Sequence, residues 1–331
     1  MNFQALPKVE LHLHLDCSLS HAVASRLAPG LSREAFERDF IAPAKCRDLA
    51  EFLTRAPSGI RLLQSREALA LAVEDLFAQL QDDGVIYTEI RFAPLLHLEG
   101  GLAPEAAVEA VDRATEAAIR ATGIEGRLIL CTLRHYTEAQ SLQTAKLVEA
   151  FKGSRVVALD LAADEAGFPI DAHILAYRYA QECGLARTAH AGEARGAESV
   201  RETLKHLQPS RLGHGVRSIE DAELIHQLVD QRIHLEVCPS CNVQTGVCGT
   251  YAEHPVDRLF RAGVSLGINT DTRTITNITL SQEYQRLHET FGWGPTHFQR
   301  CNLDALEAAF AEPAVRTRLR AKLLTTHGAS A

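Results

Sequence analysis

The sequence predicts an α/β fold: one (β/α)8 TIM-type barrel domain spanning residues 1–331, with a helical insertion after the first strand. Three observations carry this. Eight short β-type runs alternate with helical stretches, a pattern that builds parallel strands with helices outside. Eight such units suit a closed barrel better than an open sheet. A length of 331 residues accommodates one barrel plus an insertion, and no linker, low-complexity segment or repeat divides the chain.

The first run, KVELHLHLD at 8–16, alternates strictly between apolar and polar residues. Its polar side carries Glu10, His12, His14 and Asp16, an unusual set for a solvent-facing strand. Helical periodicity follows through residues 20–83. It is clearest in SREALALAVEDLFAQLQDDG, where Leu69, Val73, Leu76 and Leu80 share a face and Gly84 ends the helix. VIYTEIRFAP is the second strand. A helix over 104–122 begins with Pro104 and stops before Gly123. GRLILCTL is the third strand, with a helix near 137–151. RVVALDLA is the fourth, with a helix near 170–183.

ARTAHAGE is the fifth strand, followed by a helix near 196–207. RLGHGV is the sixth, followed by a helix near 219–231. RIHLEVCP is the seventh, followed by a helix near 253–262. GVSLGINTD is the eighth, and helical segments continue to about 324.

Composition excludes several function classes. Apolar residues make up 46% and charged residues 23% of the chain, as in an ordinary folded protein. A net charge of −8 argues against a nucleic-acid or anionic-membrane partner. The N-terminus lacks a signal-peptide pattern, and no apolar run approaches the roughly 20 residues that span a bilayer. Eight scattered cysteines in such a chain imply free thiols and a cytoplasmic setting.

Barrels of this type place their chemistry at the C-terminal strand ends. Here those ends carry His12 and His14 on strand one, His190 on strand five with Glu193 just beyond, His214 on strand six and Asp271 on strand eight. Three histidines and an aspartate form a nitrogen-and-oxygen donor set that zinc accepts. The remaining histidines, His97, His254 and His327 among them, are expected to be surface or satisfied core residues. Cys238 and Cys241 in CPSC have no second ligand pair, and Cys248 alone does not supply one.

PKVELHLHLD, YTEIRFAP, HAGE, RLGHG, LEVCPSCN and NTD, in this order, resemble the adenosine deaminase family of metal-dependent hydrolases. The resemblance implies one catalytic Zn2+ held by His12, His14, His190 and Asp271. It implies that Glu193 protonates the purine ring at N1. It implies that His214 orients and helps deprotonate the attacking water, and that Asp16 contacts a ribose 5′-hydroxyl. Two-metal relatives in the wider group use a lysine at the end of strand four. RVVALDLA has none, so one metal is expected.

Three positions depart from the commonest family pattern. Cys17 stands where glycine is usual. Ala163 replaces a glycine whose backbone N–H faces the purine ring. Thr272 replaces an aspartate facing N7, which a hydroxyl can still reach as a donor. The expected activity is hydrolytic deamination of adenosine or 2′-deoxyadenosine to inosine or 2′-deoxyinosine. The expected partner is thus a small purine nucleoside. The alternatives are another adenine compound, such as aminodeoxyfutalosine or free adenine, and a catalytically silent zinc-binding member. Family members acting on adenine tend to carry glutamate at the Asp16 position. A silent member would have no need of Glu193 and His214 together.

Overall fold

A computed structural model describes residues 1–328, with side chains described through 325; the His327 side chain and residues 329–331 lie outside the described residues. Eight parallel strands follow one another around a single sheet in the order of the sequence. They are β1 (Lys8–His14), β2 (Val85–Phe92), β3 (Glu125–Leu133), β4 (Val156–Ala162), β5 (Ala186–Ala191), β6 (Arg211–His214), β7 (His234–Val237) and β8 (Leu266–Ile268). This is the (β/α)8 barrel that the alternation predicts.

Closure between β8 and β1 is brief, because β8 is only three residues long. A single parallel bridge joins Leu13 to Asp271. The His14 N–H donates to the Asp271 carbonyl at 2.8 Å, and the Asp271 N–H to the His12 carbonyl at 3.1 Å. Where backbone pairing is missing, side chains replace it. Asn269 Oδ1 accepts from the N–H groups of Leu11 and His12, and Asn302 Oδ1 from that of Val9. Buried N–H groups need such partners.

Alternate strand residues face outward onto the helices and form the main core: Leu13, Ile90, Leu128, Leu130, Leu159, Leu161, Leu212, Leu235 and Leu266 belong to it. The opposite set crosses the barrel interior and is charged. Arg91 of β2 pairs with Asp160 of β4 and Glu236 of β7, while Arg211 of β6 pairs with Glu89 of β2 and Glu236. A lone buried charge is costly, so these groups occur as a satisfied network.

The insertion after β1 forms α1 (His21–Leu27), α2 (Arg33–Phe40), α3 (Leu49–Leu53), α4 (Ala56–Ile60) and α5 (Arg66–Asp82). Ser20, Ser32, Asp48 and Ser65 cap four of them by accepting a backbone N–H. The later helices are α6 (Pro104–Thr122), α7 (Glu138–Ala150), α8 (Ile174–Glu182), α9 (Ala197–His206), α10 (Ala222–Asp230), α11 (Pro239–Gln244), α12 (Val256–Arg261), α13 (Leu280–Phe291), α14 (Pro295–Ala308) and α15 (Pro313–Gly328). No helix among the described residues is long and apolar enough to cross a membrane. All eight cysteines are unpaired.

Candidate active site

At the C-terminal end of the barrel a small cavity of about 50 Å³ is lined by His14, Cys17, Ala163, His190, Glu193, His214, Asp271 and Thr272. Leu49, Phe52 and Leu53 of α3 cover it together with Ile275. Usual ligand pockets exceed roughly 300 Å³, so the space left beneath α3 is small. Leu49 and Glu193 also line a wider cleft of about 610 Å³ outside.

The strand ends bring the histidines and the aspartate together. One potential ligand atom from each of His12, His190, His214 and Asp271 lies within 4.8 Å of the others. His14, at the very end of β1, approaches the same centre. Its Nε2 is 3.3 Å from His190 Nε2 and 3.4 Å from Asp271 Oδ1. The structure therefore gathers five groups, not four.

Two carboxylates behind the rings set their tautomers. His12 Nδ1 lies 2.9 Å from Glu236 Oε2, and His190 Nδ1 lies 3.2 Å from Asp160 Oδ1. A carboxylate accepts, so each Nδ1 carries the proton and each Nε2 lone pair points to the centre. His12 Nε2 is buried without a hydrogen-bond partner, 3.2 Å from Asp271 Oδ1. Lone pairs facing a carboxylate in a buried site repel unless a cation stands among them. The donor set thus fits a divalent metal of the kind that imidazole and carboxylate hold.

Arg91 joins the two supporting carboxylates, donating to Asp160 Oδ2 at 2.9 Å, to Glu236 Oε2 at 2.6 Å and to the Leu11 carbonyl at 2.7 Å. Asp160, Glu236 and Arg91 were missed by sequence reasoning. A signal existed: Asp160 is the one charged residue in the apolar run VVALDLA, and Glu236 stands in the equally buried HLEV.

Glycine makes the close packing possible. A Cβ on Gly213 would stand 2.9 Å from His12 Cε1 and 3.1 Å from the His190 ring. Three non-glycine residues lining the cavity occupy the left-handed backbone region: Ala163 at φ 80°, His214 at 59° and Asp271 at 65°. Such strain gathers at functional sites. At Ala163 it falls on a position where family members commonly have glycine.

Glu193 is buried, and its Oε1 has no hydrogen-bond partner. Burial, then the negative charges of Asp271 and Glu165, push its carboxyl well above the usual carboxylate range. The loop carrying it is held by Glu165, which accepts from the N–H groups of Gly192, Glu193 and Arg195 and from the Ser199 hydroxyl. His214 Nε2 stands 3.6 Å from Glu193 Oε2.

Asp16 is buried just below the cavity in the turn after β1. Its Oδ2 lies 3.6 Å from His97 Nε2. Burial opposes ionisation of Asp16, but His97 outweighs it and the carboxyl is shifted down. His97 is a buried core residue, one of the two settings the sequence suggested, and it is also the partner of a candidate site residue. Its other nitrogen faces the Leu63 carbonyl at 2.9 Å. The Thr272 hydroxyl pairs with that of Thr276 at 2.9 Å.

Comparison with known proteins agrees with this architecture. The chain is 32% identical to the adenosine deaminase of Clostridium perfringens, over 98% of this chain and 100% of that protein. It is 36% identical to the adenosine deaminase of Mycolicibacterium gilvum, over 93% of this chain and 91% of that one. Its fold is similar to the crystal structure of adenine deaminase from Arthrobacter aurescens, with a TM-score of 0.91, 25% identity and coverage of 99% and 100%. The family model for adenosine deaminase matches residues 7–326, and the chain belongs to that family of hydrolytic deaminases.

Proposed function

We propose that this chain deaminates adenosine and 2′-deoxyadenosine hydrolytically, using one Zn2+ held by His12, His14, His190 and Asp271. The observation that carries this reading is the buried Glu193 carboxyl, with Oε1 unpartnered, beside the histidine–aspartate cluster in a small cavity at the barrel mouth. A zinc ion there supplies Lewis acidity that makes bound water nucleophilic near neutral pH.

The chain's own groups then divide the work. Glu193, kept protonated by burial and neighbouring charge, donates its proton to N1 of the purine. That makes the adjacent amine-bearing carbon electrophilic. Water adds to this carbon from the side of the histidine cluster, with His214 holding it in line. The tetrahedral adduct expels ammonia, which leaves with one of the water's protons; the other returns to Glu193, and the 6-oxo purine keeps the proton on N1. Ala163 and Thr272 line the base, and Asp16 takes the ribose 5′-hydroxyl.

The 5′ end favours an unphosphorylated nucleoside. Asp16 is ionised and already paired with His97, and a second negative charge there would meet repulsion. Free adenine is the second reading, favoured by the small cavity and the adenine deaminase likeness. The reading further takes residues 1–331 as one domain working in the cytoplasm. The test is a kcat/KM panel on zinc-loaded protein with adenosine, deoxyadenosine, adenine and AMP, followed by ammonia release. The two nucleosides should lead by at least tenfold. A panel led by adenine or AMP would overturn the substrate assignment.

A further inference from the structure

His214 sits at the end of a hydrogen-bond chain whose direction is fixed at its far end. The backbone N–H of Val256 can only donate, and it points at His254 Nδ1 at 3.1 Å. That nitrogen must therefore carry a lone pair, so His254 is neutral and bears its proton on Nε2. His254 Nε2 stands 3.2 Å from Asn242 Oδ1, which accepts that proton's hydrogen bond. The amide orientation of Asn242 is thereby set, and its Nδ2 is the donor on the other side. Asn242 Nδ2 lies 3.0 Å from His214 Nδ1. His214 Nδ1 must in turn be an acceptor, so His214 carries its proton on Nε2, the nitrogen facing Glu193 and the cavity. All three side chains are buried, so no bulk solvent competes for these bonds.

The alternative arrangement fails at one link. If His214 Nε2 were a lone pair, Nδ1–H would face Asn242, and the amide would have to turn its oxygen toward His214. Its NH2 would then confront the Nε2–H of His254, donor against donor. Reversing His254 as well would set its Nδ1–H against the Val256 N–H. Each reversal leaves a buried donor clash, which costs the full desolvation of unpaired polar groups.

We infer that Asn242 and His254 are positioning residues that hold His214 as the Nε2–H tautomer, a hydrogen-bond donor into the active site and not a metal ligand. The inference rests on the deaminase reading above and refines it. In its resting state His214 orients the attacking water by donating to its oxygen, and it has no free lone pair with which to take the water's proton. It agrees with the ligand set proposed above, in which His14 and not His214 joins His12, His190 and Asp271. The residue types fit this division. His12 and His190 each have a carboxylate on Nδ1, which frees Nε2 as a ligand, whereas His214 has an amide donor there.

The test is 15N NMR of histidine-labelled, zinc-loaded protein, with the His214 resonance assigned from the spectrum of a His214→Gln variant. The expected result is a proton on Nε2 of His214 and on Nε2 of His254. A proton on Nδ1 of His214 overturns the inference, whether or not the protein deaminates adenosine. The second arm is Asn242→Asp, of nearly the same shape but with acceptors only. It should flip His214 to Nδ1–H in the spectrum, keep the metal content and KM within about threefold, and lower kcat by roughly 100-fold or more, as a wrong tautomer does elsewhere. A flipped tautomer with unchanged kcat overturns the positioning role. Failure of the wild-type protein to deaminate any adenine compound would instead sink the underlying functional reading, and the NMR result separates the two.

Discussion

Glu193 carries a contradiction that only its proton resolves. It is a buried carboxyl beside Asp271 and Glu165, with one oxygen unpartnered. Ionised, it would be costly. Protonated, it can serve as the general acid proposed above. Its raised folded pKa means the acid form persists above the usual carboxylate range and is lost as pH rises through that raised value. The kcat/KM of wild-type protein should therefore fall on the alkaline side. An alkaline side that stays flat would contradict the assignment. Glu193→Gln should bind metal normally and lose roughly 10²–10⁴ of the rate, the usual contribution of a general acid. Metal analysis together with single-turnover kinetics checks both halves. Full activity in the variant would remove Glu193 from the mechanism. At this scale the sequence was readable where chemistry is concentrated in motifs: His12, His14, His190, Glu193, His214 and Asp271 all reach one end of the barrel. It was less readable where a residue acts through another. His97, Asn242 and His254 have ordinary neighbours in sequence, and only packing brings them to Asp16 and His214.

Among the elements, strand ends and the glycines between them set the geometry. β6 carries Gly213 directly beneath the rings of His12 and His190, which belong to two other strands. Gly213→Ala should force those rings apart and cost about 1–3 kcal/mol by overpacking. Denaturant unfolding should show that loss, and chelator competition should show weaker metal binding. Unchanged metal affinity in the folded variant would mean the rings have more room than their distances allow. The strand-and-helix alternation was legible because the outward faces must be apolar to meet helices. Boundaries were less so. The helix expected near 253–262 is only Val256–Arg261, because Pro255 occupies its cap and His254 is drawn into the Asn242 contact. The helix expected near 170–183 begins as a 3-10 turn, Asp171–His173, before α8. The eighth strand stops at Ile268, and Asp271 stands beyond it on a left-handed residue bridged to β1.

The molecule as a whole is a barrel with a charged axis under a metal-capable mouth. Arg91, Arg211, Glu89, Asp160 and Glu236 come from four strands and meet inside. Their value lies in register and placement more than in net stability, since buried pairs roughly balance their own desolvation. Breaking the network is another matter. Arg91→Met should cost about 3–5 kcal/mol, because it leaves Asp160 and Glu236 buried without their common partner. Equilibrium unfolding checks this, and a loss below about 1 kcal/mol would mean the carboxylates find another donor. Nothing in the linear sequence pairs these residues. Closure of the barrel does, by turning alternate positions of β2, β4, β6 and β7 toward one axis. The same closure gathers groups from β1, β5, β6 and the segment after β8 into one metal-capable cluster. The most direct test of that central claim is a metal titration of chelator-stripped protein, followed by the conversion of adenosine to inosine. The account predicts no turnover without metal and a rate that rises with added zinc to a plateau at one equivalent per chain. Full turnover by the metal-free protein, or a plateau that requires two equivalents, would contradict it.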